Sequence, residues 1–219
     1  MSLVDIVNAR FPLKPLETGE YTDFKAKPLT VHLDWYYAQG LGNVSFLKGK
    51  AMGGLMRMDT VVVNATDRDM PLLSYDYISA MGNFTVLVEY YDTLLEKTGF
   101  DAVPFAALKD KLAALPDHDL GCHWYDYMKL APSFAKKVKK AALPGLGSAV
   151  TDAFEAYAAA AAALPELDAE QIKLKRAKSA EYVNGLLKNG GPSTDAFKKA
   201  IGPERTRELF TKIVFGSEV

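Results

Sequence analysis

Residues Arg57 to Asp92 read RMDTVVVNATDRDMPLLSYDYISAMGNFTVLVEYYD and constrain the fold more than any other stretch. Three runs, Met56 to Asn64, Leu72 to Ala80 and Phe84 to Tyr91, are rich in β-branched and aromatic residues. Only Thr66-Asp67-Arg68-Asp69 and Met81-Gly82-Asn83 interrupt them. Such residues favour strands, and Gly and Asn supply the positive φ of a tight hairpin. A parallel crossover needs about a dozen residues, so strands joined this closely are antiparallel. The middle run carries a carboxylate, Asp76, among residues that otherwise read as sheet core. A buried acid costs free energy unless it is paired, hydrogen-bonded or used in chemistry, which makes Asp76 the first candidate for function.

Around this centre the pattern is of strands first and helices afterwards. Ser2 to Ala9 predicts one or two amphipathic turns, with Leu3, Ile6 and Val7 on one side. Phe11 to Pro28, with three prolines and Gly19, predicts a course over the surface. His32 to Ala38 and Val44 to Lys50 read as strands, and the glycines of Lys48 to Gly54 predict a bulge or turn. Helical spacing follows over Phe105 to Leu115, Asp126 to Lys140 (interrupted near Pro132), Thr151 to Leu164 and Asp168 to Lys188. Ser193-Thr194-Asp195 caps a short helix to Ile201, and Pro203 opens a last one over Glu204 to Val214. This order predicts an α+β fold, helices laid over an antiparallel sheet. The texture changes near residue 100, but helices alone would lack a partner, so a single domain over residues 1–219 is expected.

Composition excludes several classes. A net charge of −1 gives no long-range field to gather nucleic acid or an anionic membrane. The apolar run Ala156 to Leu164 is far shorter than the roughly 20 residues of a membrane span. Met1 to Arg10 has Asp5 within its apolar run and no secretory cleavage pattern. The one cysteine, Cys122, excludes an internal disulfide and fits a reducing compartment. A soluble, cytoplasmic protein is expected.

The sheet acids carry the chemistry. A two-residue loop at Gly82-Asn83 places Asp76 opposite Glu89, whereas a three-residue loop places Val88 there. The turn after Ala65 brings Asp59 to the other side of Asp76 in one register. Paired carboxylates raise one pKa, as a general acid requires. Three solvated acids on an open sheet face give the same pattern. Arg57, Lys48 and Lys50 are either pocket cations for a carboxylated ligand or surface residues at strand ends. Gly53-Gly54 lacks a phosphate-loop pattern, and Cys122-His123, being adjacent, point apart and make a poor metal site. Of the three histidines, His32, His118 and His123, the last lies beside Trp124, Tyr125 and Tyr127 in what reads as a loop packing onto the body. Early aromatics such as Trp35, Tyr36, Phe46, Tyr75 and Tyr90 either line a flat apolar pocket or fill the sheet core.

Met70-Pro71-Leu72-Leu73-Ser74-Tyr75-Asp76-Tyr77-Ile78 resembles the segment of the ferredoxin-dependent bilin reductases in which a proline and an apolar pair lead to an aspartate. Met58 to Asn64 is similar to the family's preceding strand. Tyr182 through Lys188-Asn189, Phe197 to Gly202, and Phe210 through Phe215 resemble its closing helices. The related red chlorophyll catabolite reductases fit about as well.

The resemblance implies an α/β/α three-layer sandwich with a linear tetrapyrrole between the sheet and the C-terminal helices. It implies electrons delivered singly by reduced ferredoxin or a flavodoxin-type donor, with no bound cofactor and no metal. Asp76 would be the proton donor, Glu89 or Asp59 its acidic neighbour, and Arg57 a propionate anchor. Asn64, Ser74, Lys188, Asn189 and Asp195 would stand on the substrate side. The chain departs from the family in two places. Lys48 to Met58 contains no counterpart of the family's pocket histidine, and Gly190 replaces an acid, with Asp195 the nearest substitute. A binder of tetrapyrroles or flat apolar ligands without chemistry is the second expectation.

Overall fold

The computed structural model describes residues 2–96 and 105–218; the change of texture near residue 100 lies outside them. The chain opens with α1 (Leu3–Asn8), capped by Ser2 in a reciprocal box with Asp5. Strands β1 (Leu13–Leu16) and β2 (Asp23–Ala26) follow, where the prolines predict an irregular course. Pro15 is tolerated because β1 is an edge strand, and β1 and β2 pair with different halves of one long neighbour.

That neighbour is β3 (Leu29–Ala38), followed by β4 (Gly42–Ala51), β5 (Met56–Asn64), β6 (Leu72–Ala80) and β7 (Asn83–Tyr91). After α2 (Ala106–Ala113) comes β8 (Phe134–Lys139). The eight strands form one antiparallel sheet in the order β1-β3-β4-β5-β6-β7-β8, with β2 beside β3. Asp126 to Lys140 therefore contains a strand rather than the helix its spacing predicts, because β8 pairs along the free edge of β7. The last third is helical: α3 (Leu143–Ala163), α4 (Ala169–Asn189), α5 (Pro192–Ile201) and α6 (Pro203–Glu208), then a π-helical segment, Leu209–Val214. Helix α3 starts about two turns before Thr151, with Pro144 in its first turn where a missing N–H costs nothing.

Helices cover both faces, giving the expected three layers. One face packs Val61, Val63, Leu73, Val86 and Val88 against α1, α2 and α3. The other packs Leu33, Leu47, Val62, Leu72 and Tyr91 against α4, α5 and the π-helical segment. Val61-Val62-Val63 is buried throughout, as a central strand covered on both sides must be.

The turn between β6 and β7 is Met81-Gly82, both with positive φ (51° and 73°), and Ala80 pairs with Asn83. The sheet consequently sets Asp76 opposite Leu87, with Ser74 opposite Glu89. Neither register weighed from the sequence is the one adopted, because the turn starts one residue earlier than Gly82-Asn83. On the other side Thr60, not Asp59, faces Asp76.

A fully buried lysine joins the layers. Lys175 on α4 donates to Asp69 Oδ1 (3.0 Å), Met70 O (2.6 Å) and Thr93 O (2.7 Å), and burial pushes its ammonium down to about 8 against the pull of Asp69. Removing it leaves buried acceptors and a carboxylate without their cation. Lys175→Met is expected to lower the unfolding free energy by about 3–5 kcal/mol, measured by urea denaturation. A change under about 1 kcal/mol would show that this lysine does not hold the layers together.

Candidate functional site

Side chains alternate across a strand, so the register decides what shares a face with Asp76. On β5 these are Met58, Thr60, Val62 and Asn64; on β6, Ser74 and Ile78; on β7, Thr85, Leu87, Glu89 and Tyr91. This face lies under α4, α5 and the C-terminal segment, and between them is a cavity of about 270 Å³. Its roof is Tyr182 and Leu186 of α4, Gly191 to Thr194 and Phe197 of the α5 region, and Phe210, Val214 and Phe215. Buried Val62, Tyr91, Phe210 and Phe215 close one end, while the partly exposed Met58, Ile78, Thr85 and Leu120 border the other.

Asp76 stands in the cavity wall. Thr60 Oγ1 donates to its Oδ1 at 2.5 Å, and among the described residues Oδ2 has no hydrogen-bond partner. Desolvation pushes its carboxyl up to about 6; the Thr60 hydrogen bond opposes this and the Glu89 charge adds to it. The expected mutual effect of two carboxylates is thus present but secondary, because Glu89 sits diagonally from Asp76 and is already engaged. Glu89 Oε1 is 2.7 Å from Lys129 Nζ, and its Oε2 accepts from Tyr91 Oη at 2.7 Å. Lys129 also pairs with Asp126 at 2.9 Å. Tyr91 stacks on Tyr182 at 4.3 Å between ring centroids, and burial pushes both phenols well above their ordinary range, so they stay neutral. Glu89 thereby has a lysine and a phenol as partners, whereas Asp76 faces the cavity with one hydroxyl as its partner.

The remaining sequence candidates divide. Ser74 lines the cavity. Arg57 and Asp59 do not: odd residues of β5 point to the other face, where the two pair with each other at 2.6 Å. Arg57 is therefore no anchor for a ligand in this cavity, and Asp59 is not the neighbour of Asp76. Asn64 is on the correct face but fully buried, donating to Phe215 O (2.8 Å) and accepting from Ser179 Oγ (2.8 Å), so it clamps the roof instead of contacting a ligand. Lys188, Asn189 and Asp195 are exposed and outside the lining. The chain turns into the cavity just between them, with Gly190 at φ 85° ending α4 and Gly191 to Thr194 supplying the wall. Lys48 pairs with Asp34 on the opposite face.

His118 lines the cavity without any motif to announce it. Its segment reaches the sheet through a single bridge, Asp117 to Lys136, too short to show periodicity. The sequence places Tyr182, Phe197 and Phe210 within the closing helices without marking them as cavity wall. Among the described residues no group of three or more His, Cys, Asp or Glu side chains is placed to hold a metal ion. No helix there is long and apolar enough to cross a membrane.

No family model matches the sequence, and no curated protein is detectably similar to it. Among solved structures, the chain superimposes on crystalline phytochromobilin synthase from tomato in complex with biliverdin, with a TM-score of 0.79 and 13% identity. The match covers 98% of this chain and 80% of that one. At this identity the likeness establishes a shared fold, the one that the resemblance of the Asp76 segment implies.

A carboxyl whose pKa is raised in the folded state binds its proton more tightly than the unfolded chain does. The associated stability is present at low pH and is lost as pH rises from about 4 through about 6. Asp76→Asn, which retains a hydrogen-bonding side chain, is expected to match the wild type below pH 4 and to be more stable by about 1–3 kcal/mol above pH 7. Chemical denaturation across this range measures the difference; parallel stability curves would contradict a desolvated Asp76.

Proposed function

We propose that this protein reduces an open-chain tetrapyrrole, with Asp76 donating a proton to the pigment. The observation that carries the reading is a desolvated, partly buried carboxyl, protonated up to about pH 6, facing a cavity between the sheet and the C-terminal helices. A general acid works best with a pKa near the operating pH, and desolvation is the usual way to raise a carboxyl to that value. The shared fold with a protein crystallised around biliverdin supports the choice of ligand class. Electrons arrive one at a time from a reduced ferredoxin or flavodoxin-type donor, and the protein supplies protons, orientation and exclusion of water.

No Lys or Arg lines the cavity, so a tetrapyrrole lies with its conjugated rings inside and its propionates toward the open end. There Lys137 on β8 pairs with Thr85, is exposed, and shares the cavity's face of the sheet. It takes the anchoring role that Arg57 has on sequence grounds. Lys137→Ala is expected to raise the Kd for biliverdin about 3–10-fold, the effect of a partly exposed ion pair, measured by absorbance titration.

The direct test is anaerobic mixing of the protein, biliverdin and reduced ferredoxin, with the pigment band followed over time. Wild-type protein is expected to shift or bleach the band. Asp76→Asn is expected to bind pigment normally and turn over at least tenfold more slowly. Unchanged turnover in the variant would refute Asp76 as donor. A second reading, a pigment binder without chemistry, draws on the pairing of Glu89 with Lys129, which leaves a single free acid in the wall. It predicts a bound pigment spectrum that stays constant under reducing conditions.

A further inference from the structure

Burial raises the lining phenols of Tyr91, Tyr125 and Tyr182 and keeps them neutral. Three other titratable side chains line the cavity, and Asp76 and Glu89 account for two of them. We propose that the third, His118, is a second proton donor that serves a different atom of the ligand from the one served by Asp76. This rests on the reductase reading above.

The placement follows from the register. Leu47, Thr60, Asp76, Leu87 and Ala135 are successive partners in one row running straight across the sheet. The row continues beyond β8. Asp117 bridges Lys136 in antiparallel fashion, and the His118 N–H donates to Ala135 O at 3.0 Å. His118 therefore occupies the next place in the row, on the same face as Asp76 and three strand spacings from it, about 14 Å between Cα atoms. Between them lie Leu87 and the small Ala135, an apolar floor with no competing polar group. A flat ligand laid along this row has Asp76 at one side and His118 at the other.

The segment carrying His118 is held at both ends. Lys136 Nζ binds Asp117 Oδ1 (2.7 Å) and Leu115 O (2.9 Å), and the Lys137 N–H donates to Pro116 O. Further along, Trp124 Nε1 donates to Gly190 O (2.8 Å), and its ring occupies the space that a side chain at Gly185 would fill. Among the described residues neither ring nitrogen of His118 has a hydrogen-bond or ion-pair partner, in contrast to His32 and His123. Glu89 is engaged on both oxygens, by Tyr91 and Lys129.

The chemistry consumes two protons, and the cavity wall places two donors to deliver them. Reducing one double-bond equivalent of a conjugated tetrapyrrole consumes two electrons and two protons. The electrons come from two molecules of a one-electron iron–sulfur donor, each oxidised once. The first electron and the Asp76 proton give a neutral radical; the second electron and the His118 imidazolium proton give the closed-shell product. Conjugation lets the two hydrogens add to separated atoms. Asp76 carboxylate and neutral His118 then regain protons from solvent at the open end.

The test compares wild type, His118→Gln and His118→Ala under the anaerobic conditions above. Each is titrated with biliverdin and then reduced one electron at a time, with electron paramagnetic resonance and product analysis by mass spectrometry. The proposal expects both variants to bind biliverdin within about threefold of wild type. It expects them to accept the first electron and to accumulate the radical, with product formation at least tenfold slower. Added imidazole should restore turnover in His118→Ala but not in Asp76→Asn, a rescue that a merely structural role would not show. Normal turnover to the normal product in both His118 variants would overturn the assignment while leaving the reductase reading intact. Failure of wild-type protein to reduce the pigment would overturn both.

Discussion

The arrangement around the cavity depends on the register that the Met81-Gly82 turn imposes between β6 and β7. Both turn residues have positive φ, which suits the twist of a two-residue hairpin, and the pairing of Ala80 with Asn83 propagates along nine residue pairs. With the turn one residue longer, Val88 instead of Glu89 would share the face of Asp76, and the two acids would lie on opposite sides of the sheet. The same alternation sends Arg57 and Asp59 away from the site although they are only a few residues from Thr60.

Two carboxylates placed on one face receive opposite treatment. Glu89 is given a lysine and a phenol, so its charge is matched where it is buried. Asp76 is given one hydroxyl and an apolar surround, so its neutral form is favoured. The difference arises from neighbours, not from residue type. The same balance applies to Lys175, where burial lowers the ammonium and three oxygen acceptors keep the interaction favourable.

The roof needs its own attachment, because a π-helical turn leaves carbonyls without ordinary helical partners. Buried polar side chains on the sheet supply them. Asn43 Nδ2 donates to Ile213 O and Val214 O, Ser45 Oγ to Val214 O, and Asn64 Nδ2 to Phe215 O. These bonds explain why Asn43, Ser45 and Asn64 are buried despite their polarity, and they set the height of Phe210, Val214 and Phe215 above Asp76.

By itself the sequence determined the strands between His32 and Tyr91, their antiparallel sense, the two helical layers and the unusual acid at Asp76. Strand periodicity, short turns and the resemblance around Met70 to Ile78 are local signals, and local physics suffices to express them. Asp126 to Lys140 has helical spacing in the sequence; only the unpaired edge of β7 makes Phe134 to Lys139 a strand. Likewise, nothing near Ser193 or His118 in the chain says that either lines a cavity. Their approach to Asp76 required the stacking of helices on the sheet and an edge bridge. Tertiary structure also decided that the Asp76 carboxyl is shifted toward its neutral form, because a pKa is set by the dielectric and charges around a group, and those come from residues far away in sequence.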